Sequence, residues 1–316
     1  GNQGGLHARI TAKLYLQQFN LNETEEFLQK RGFSWDRYQI LQCYMLTGGV
    51  PYYLKMLNNK LSLGQNTDLL CFRETGSLRN EFAELYPALF KNADTYIEIV
   101  RLLFNKEQGL TKQEINREMK MNADTIDRYL RNLRLCNFIS EGVRFGSKVP
   151  VYRLVDFYST FYFKFIEGKA IDDESWWMHN MNGHAVLSWM GRTFELICLQ
   201  HYRQILNALG IGGVSTSIAT WRYAGDENHS GAQVDMTIER ADRMIHLCEM
   251  KFYQDKFKVT EDYLTRLRAR RSTFIETRRI RKAVVHTFVT TFGLVNPEYS
   301  SFIHSQITMD DLFRPL

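Results

Sequence analysis

Gln233-Val234-Asp235-Met236-Thr237-Ile238-Glu239 and, after a short link, Met244-Ile245-His246-Leu247-Cys248-Glu249-Met250-Lys251-Phe252 decide how this 316-residue chain is read. The first segment alternates apolar and polar residues with the period of a half-buried strand, and the second reads as another strand. Arg240-Ala241-Asp242-Arg243 between them is short and polar, so an antiparallel hairpin is the simplest pairing. Side chains two apart on a strand share a face, which groups Glu249 with Lys251 and sends Met250 to the other side. Once the strands pair, Asp235 falls near Glu249. Two carboxylates converging at a sheet edge form a hard oxygen site suited to Mg2+ or Mn2+, and the Lys251 ammonium can orient a water or stabilise charge developing on a phosphate. These are the groups that phosphodiester hydrolysis requires.

The tripeptide alone is not selective. Glu-x-Lys occurs at Glu118-Met119-Lys120, Glu167-Gly168-Lys169 and Glu249-Met250-Lys251, the first in a helical pattern and the second in a glycine-bearing loop. Strand context, the upstream Asp235 and the helical stretch that follows single out the third. The competing reading is an exposed charge pair on a solvated strand.

From about residue 189 to 313 the expected order is helix, strand, strand, strand, helix, strand. With Glu195 in Met190-Gly191-Arg192-Thr193-Phe194-Glu195, this order and the Asp235, Glu249 and Lys251 set resemble the PD-(D/E)xK nuclease superfamily in its minimal form. The resemblance implies a restriction-endonuclease-like α/β domain with a mixed central sheet. It also implies Asp235 and Glu249 as metal ligands, Lys251 as the catalytic lysine, and Glu195 as a helix carboxylate assisting the metal. Val234 stands where the family name places proline. Glu195 lies in the apolar run Phe194-Glu195-Leu196-Ile197-Cys198-Leu199, on a helix expected to reach Leu209, where a lone acid is costly unless paired or at an exposed edge. A ligand role accounts for it, and a solvated helix position is the alternative.

Beyond the proposed lysine, a helical stretch over residues 260–282 carries Arg266, Arg268, Arg270, Arg271, Arg278, Arg279, Arg281 and Lys282 against few acids. A basic helix beside a metal site suits a phosphate backbone, and Arg266 and Arg270 are the expected contacts. Tyr263, Leu264, Leu267, Phe274 and Ile275 mark an apolar face on the same helix. The run Ala283-Val284-Val285-His286-Thr287-Phe288-Val289-Thr290-Thr291 is β-branched and reads as a buried, central last strand.

The middle of the chain has a different logic. Residues 94–105 read as an amphipathic helix, Thr111-Lys112-Gln113-Glu114 is a capping box opening a helix through Met119, and Asn122 caps a third over residues 123–136. Strands are expected at 138–143 and 149–154. Three short helices and a hairpin resemble a winged helix-turn-helix, which implies Thr125, Arg128, Arg131 and Arg134 on a recognition helix and Arg144 and Lys148 on the wing. Asp124 and Asp127 dilute that charge, and a winged helix that contacts a protein partner is the alternative. Gly142-Val143-Arg144-Phe145-Gly146-Ser147-Lys148 has glycine spacing too short for a phosphate loop and lies between strands, and Gly210-Ile211-Gly212-Gly213 does not complete a dinucleotide fingerprint.

In the first ninety residues the segment Arg9 to Phe19 runs into a helix. Asn22 is the expected N-cap of a helix with acids in its first turn, Gly48-Gly49 ends one helix and Pro51 begins the next. With Thr47-Gly48-Gly49-Val50-Pro51-Tyr52-Tyr53-Leu54, this resembles the last strand and helical lid of archaeal-type AAA+/STAND ATPases, in the branch ending in a winged helix and a nuclease-like domain. That resemblance covers nearly the whole chain. In the family the phosphate loop and acidic strand lie upstream of anything here. No ATP binding or hydrolysis is therefore expected of this chain, ATP being a cofactor only of a full-length protein. The Gly48-Gly49 turn and Arg9 would have lost the nucleotide they face, and a helix stop and a surface charge are the better readings. Phe157 to Phe165 and Trp176, Trp177 and Trp189 form an aromatic-rich bridge, read as packing rather than a stacking platform for bases because few cations are interleaved.

The overall expectation is a multi-domain α plus α/β chain. It comprises a helical ATPase lid (1–90), a winged helix (91–156), an aromatic connector (157–188) and a nuclease-like domain (189–316). Composition agrees: 44% hydrophobic and 13% aromatic residues suffice for packed cores, while a net charge of +5 is too mild to argue for nucleic acid alone. Five cysteines without paired spacing read as reduced thiols of a cytoplasmic protein, and no apolar stretch is long enough to span a membrane. The start at Gly1 without methionine reads as processed or engineered. The expected function is metal-dependent hydrolysis of DNA as the effector of a larger ATP-dependent protein. The alternative is a catalytically silent module binding nucleic acid or protein.

Overall fold

Side-chain capping fixes where the helices of the first part begin. The computed structural model describes residues 17–169, 172–227, 229–295 and 302–316. Helices α1 (Leu21–Lys30), α2 (Arg37–Thr47) and α4 (Leu63–Thr67) each open on a capping box, at Asn20 with Glu23, Asp36 with Gln39 and Ser62 with Gln65. Each such cap is worth about 1 kcal/mol. The cap of α1 is therefore Asn20 and not Asn22, whose amide donates to Glu26 one turn on at 3.0 Å. Gly48 ends α2 in the left-handed conformation and Pro51 opens α3 (Pro51–Met56), as the sequence predicts. Gly49 has φ +69°, its carbonyl accepts the Phe19 N–H at 3.0 Å, and a Cβ there would lie 2.1 Å from the Phe19 oxygen. Only glycine fits, so this turn has a structural role. Arg9 and most of the segment that runs from it to Phe19 lie outside the described residues, and residues 17–19 carry no regular structure.

A π-helical turn (Asp68–Phe72) and α5 (Ser77–Leu89) lead into α6 (Ala93–Asn105), α7 (Lys112–Met119) and α8 (Ala123–Leu135). The boxes at Thr111 and the cap at Asn122 form as expected. Strands β2 (Ile139–Val143) and β3 (Pro150–Leu154) pair antiparallel, and a short β1 (Leu110–Thr111), not anticipated from sequence, pairs with β3 in the order β1-β3-β2.

Helices α9 (Phe157–Phe165) and α10 (Trp176–Asn180) form the aromatic bridge. Its rings face other rings in the interior: Phe82 stacks on Tyr162 at 4.0 Å, Phe72 on Trp176 at 5.0 Å, and Phe161 meets Trp189 edge-on at 5.6 Å. This is core packing, as the sparse cations suggest.

The last part begins with α11 (His184–Gln200) and α12 (Tyr202–Ala208). The single helix expected to Leu209 breaks at His201, whose Nδ1 meets Ile197 O at 2.9 Å while Nε2 accepts the Leu21 N–H at 3.1 Å. Five strands follow in the order β4 (Thr216–Tyr223), β5 (Ala232–Arg240), β6 (Met244–Lys251), β7 (Ala283–Thr290) and β8 (Ile303–Thr308), with α13 (Glu261–Arg278) between β6 and β7 and α14 (Met309–Leu312) at the end. β4, β5 and β6 run antiparallel, and β6, β7 and β8 parallel, giving a mixed sheet. β7 is internal as expected but is not the last strand; β8, with its weak Ile-His-Ser-Gln-Ile-Thr pattern, lies beyond it.

Two clusters show how this sheet is covered. Met236, Ile238, Cys248 and Met250 join Phe194 and Ile197 of α11, whereas Val234, Ile245, Leu247 and Val284 join Phe274 of α13. The α11 cluster draws residues from Leu21 to Phe313, that is, from each of the four stretches expected as domains. Tyr38 of α2 stacks on Phe252 at 5.3 Å, and the buried Asp68 accepts N–H groups of Trp177 at 2.7 Å and Met178 at 3.2 Å. All five cysteines are free, with Cys136 exposed. Among the described residues no helix is long and apolar enough to cross a membrane.

Candidate active site at a bulge in the central hairpin

The hairpin expected from sequence forms, with Met236 opposite Cys248 and Glu239 opposite Ile245. Continued one step past its last paired residues, this register sets Asp235 across from Glu249. On the other side of β5 the pairing passes from Ala219↔Thr237 to Trp221↔Val234, so Thr220 alone faces both Asp235 and Met236. That is a β-bulge, a device that re-aims a side chain and interrupts the ladder. Its effect is visible in the burial: Val234 belongs to the α13 face, yet Met236 and Ile238 belong to the α11 face. Strict alternation would have kept all three together. Asp235 sits at the break, half-buried, with Gln233 Nε2 donating to its Oδ1 at 2.8 Å.

Glu249 and Lys251 share the face covered by α13, as their spacing predicts. Glu249 is 1% exposed, and its burial is compensated on both oxygens. Tyr263 Oη donates to Oε2 at 2.8 Å and the Arg270 guanidinium donates to Oε1. Lys251 Nζ lies 3.9 Å from Oε2 and 5.8 Å from the centre of the Tyr263 ring.

Glu195 projects from the middle of α11 into a cavity that Asp235 also lines. Burial first, and the neighbouring Asp235 second, push its carboxyl up to about 8, against the lowering influence of Lys251. Asp235 is also raised, by burial and by Glu249, although the Gln233 hydrogen bond, Lys251 and Arg270 oppose the shift. The three carboxylates thus feel one another, and all feel the same ammonium. The sequence-predicted set gathers at one end of the sheet, with Glu195 and Asp235 lining the cavity and Glu249 and Lys251 beside Tyr263 and Arg270 of α13.

The donors are all oxygen and their mutual repulsion is what a divalent cation relieves, which fits Mg2+ or Mn2+. Among the described residues, however, no three His, Cys, Asp or Glu side chains are gathered closely enough to hold a metal. At Glu249 the Arg270 guanidinium already supplies positive charge. A site of one or two carboxylates completed by water and substrate phosphate is ordinary for Mg2+, so Asp235 and Glu249 suffice chemically.

The expected nucleic-acid contacts divide. Arg128, Arg131 and Arg134 are exposed on α8, Arg134 paired with Glu141 and Arg128 lying 5.5 Å from the Tyr129 ring centre. Lys148 and Arg266 are exposed. Arg270 instead reaches the buried Glu249, and Arg144, partly exposed, pairs with Glu114 at 3.7 Å. Arg144 bridges to Thr220 of β4, and the adjacent Phe145 N–H donates to Thr220 O at 2.7 Å while its ring meets Phe274 at 4.9 Å. The hairpin tip therefore caps the exposed edge of the sheet, which a free wing would not do. Tyr263, read from sequence only as apolar face, and Gln233, Gln108 and Arg153 were not anticipated; spacing within one segment carries no signal for such cross-chain contacts. Against known proteins, the chain matches no family model, no curated protein and no solved structure.

Proposed function

We propose that this chain hydrolyses phosphodiester bonds of DNA, with Asp235 and Glu249 holding Mg2+ or Mn2+. The observation that supports this most is the bulge, which breaks the alternation of β5 at Asp235 and so brings a second carboxylate to the strand pair bearing Glu249 and Lys251. The bound metal would supply Lewis-acid stabilisation of phosphate charge and a more acidic water. Lys251 Nζ, 3.9 Å from Glu249, is placed to stabilise charge on a phosphate oxygen at the same site. Burial and the neighbouring Asp235 push the Glu195 carboxyl up to about 8, so positive charge entering the site would favour its ionised form. Arg270 and Tyr263 hold Glu249 in place by direct contact. The exposed arginines of α8 and Arg266 are the proposed contacts to the phosphate backbone.

The pairing of Glu249 with Arg270 favours one second reading, a silent module in which the protein's own cation permanently replaces the metal and the fold only binds nucleic acid or protein. Incubation of the full chain with plasmid and single-stranded oligonucleotides in Mn2+ separates the two. The hydrolytic reading expects cleavage that Asp235→Ala and Lys251→Ala each reduce by about 100-fold or more. Cleavage retained by both variants, or none on any substrate, would refute it.

A further inference from the structure

The cavity that Glu195 and Asp235 share has a volume of about 300 Å³ and is walled by α6, β3 and α9 on one side and α11, β4 and β5 on the other. Five cations line it: Arg144, Arg153, Lys164, Arg192 and Arg222. The acids on its wall are Glu107, which Arg192 neutralises, Glu195 and Asp235, three against five cations. Positive charge is therefore in surplus.

Arg153 is the informative member. Its Nε donates to Gln108 O at 3.2 Å and its Nη2 to Thr220 Oγ1 at 2.8 Å, and among the described residues no carboxylate pairs with it. Burial, and the like charge of Arg144 beside it, disfavour its ionised form, with Asp235 the compensating neighbour. Arg144 is partly exposed and pairs with Glu114 at 3.7 Å, so Arg153 is the guanidinium whose burial an anion in the cavity would repay. Trp189 and Trp221, at 4% and 1% exposure, also line the cavity, and each keeps an indole N–H with no hydrogen-bond partner. Gln108 ties this wall to the site: its side chain donates to Gln233 Oε1 at 2.7 Å, and Gln233 donates to Asp235.

We propose that this cavity binds a phosphate monoester of nucleotide size, the terminal phosphate of a nucleic-acid strand, and so presents a strand end to Asp235. The size suits one nucleotide and not a duplex, being at the lower end for ligand sites. A monoester carries about −1.5 to −2 charges at neutral pH against one for an internal diester, which matches the cation surplus. The inference rests on the hydrolytic reading only for the choice of nucleic acid as ligand.

Binding to the full chain is measured by calorimetry in EDTA, which removes metal from the comparison. The probes are a 5′-phosphorylated tetranucleotide, its 5′-hydroxyl counterpart, deoxyadenosine monophosphate and deoxyadenosine. The phosphorylated oligonucleotide is expected to bind at least tenfold more tightly than its counterpart, with Arg153→Gln removing the preference. Arg192→Ala, at a more exposed position, is expected to weaken it with an unchanged melting curve, which guards against misfolding of the Arg153 variant. A preference confined to the free mononucleotide would keep the monoester site and overturn the strand end. No preference in either pair, or a preference that both variants retain, would overturn the proposal. A phosphate preference without any cleavage activity would leave the cavity assigned while the hydrolytic reading failed.

Discussion

Glu195 is the residue whose environment most disagrees with its chemistry. A carboxyl on an apolar helix, beside Asp235, is pushed up to about 8, whereas an unfolded glutamate titrates near 4.5. The folded state therefore binds the extra proton, and its contribution to stability is present in full below about 4.5 and lost as pH rises toward 8. Glu195→Gln lacks that proton linkage. Its melting temperature is expected to gain on the wild type steadily between pH 5 and pH 8, and a pH-independent difference would show that Glu195 is not held protonated. Glu249, though more buried, illustrates the opposite solution: Tyr263 and Arg270 satisfy both of its oxygens in place. Neither environment follows from residue type. Glu249-Met250-Lys251 was separable from its two Glu-x-Lys decoys by strand context, but Arg270 looked like a surface contact because helix charge says nothing about which turn faces a buried acid.

Among elements, those written in local chemistry were the legible ones. The capping box at Thr111, the cap at Asn122, the Gly48 stop and the Pro51 start all act within four residues, and each forms where expected. Asn20 displaced Asn22 as a cap because only Glu23 closes the reciprocal box. The break at His201, the strand β8 and the bulge at Asp235 depend on partners far along the chain, so periodicity could not reveal them. The Gly49 turn gives a clean test of this level. Gly49→Ala forces a Cβ onto the Phe19 carbonyl at a left-handed φ, and the backbone strain alone costs on the order of 1–3 kcal/mol. Gly213, with nothing within 4 Å of a Cβ, is the control. Urea unfolding is expected to lower the midpoint for Gly49→Ala and leave Gly213→Ala near the wild type; equal effects would contradict the packing described.

At the scale of the molecule, one apolar cluster draws residues from all four expected stretches, beside two smaller clusters that involve α13. Composition shifts mark where segments change character, yet the aromatic bridge, α2 and α11 bury against each other, and the hairpin tip closes the sheet edge through Phe145. That assembly creates the basic cavity, whose walls come from stretches more than a hundred residues apart, from Gln108 to Asp235. The hairpin was readable from the residues and the mixed sheet followed from the family resemblance; the surface that encloses them was not legible. Whether the carboxylates serve as a metal site is the claim on which the functional account stands. Mn2+ titration of the full chain, followed by electron paramagnetic resonance, tests it without any substrate. One bound Mn2+ is predicted for the wild type and for the decoy variant Glu118→Ala, and its loss in Asp235→Ala and in Glu249→Ala. No bound Mn2+ in the wild type, or undiminished binding by Asp235→Ala, would contradict the account.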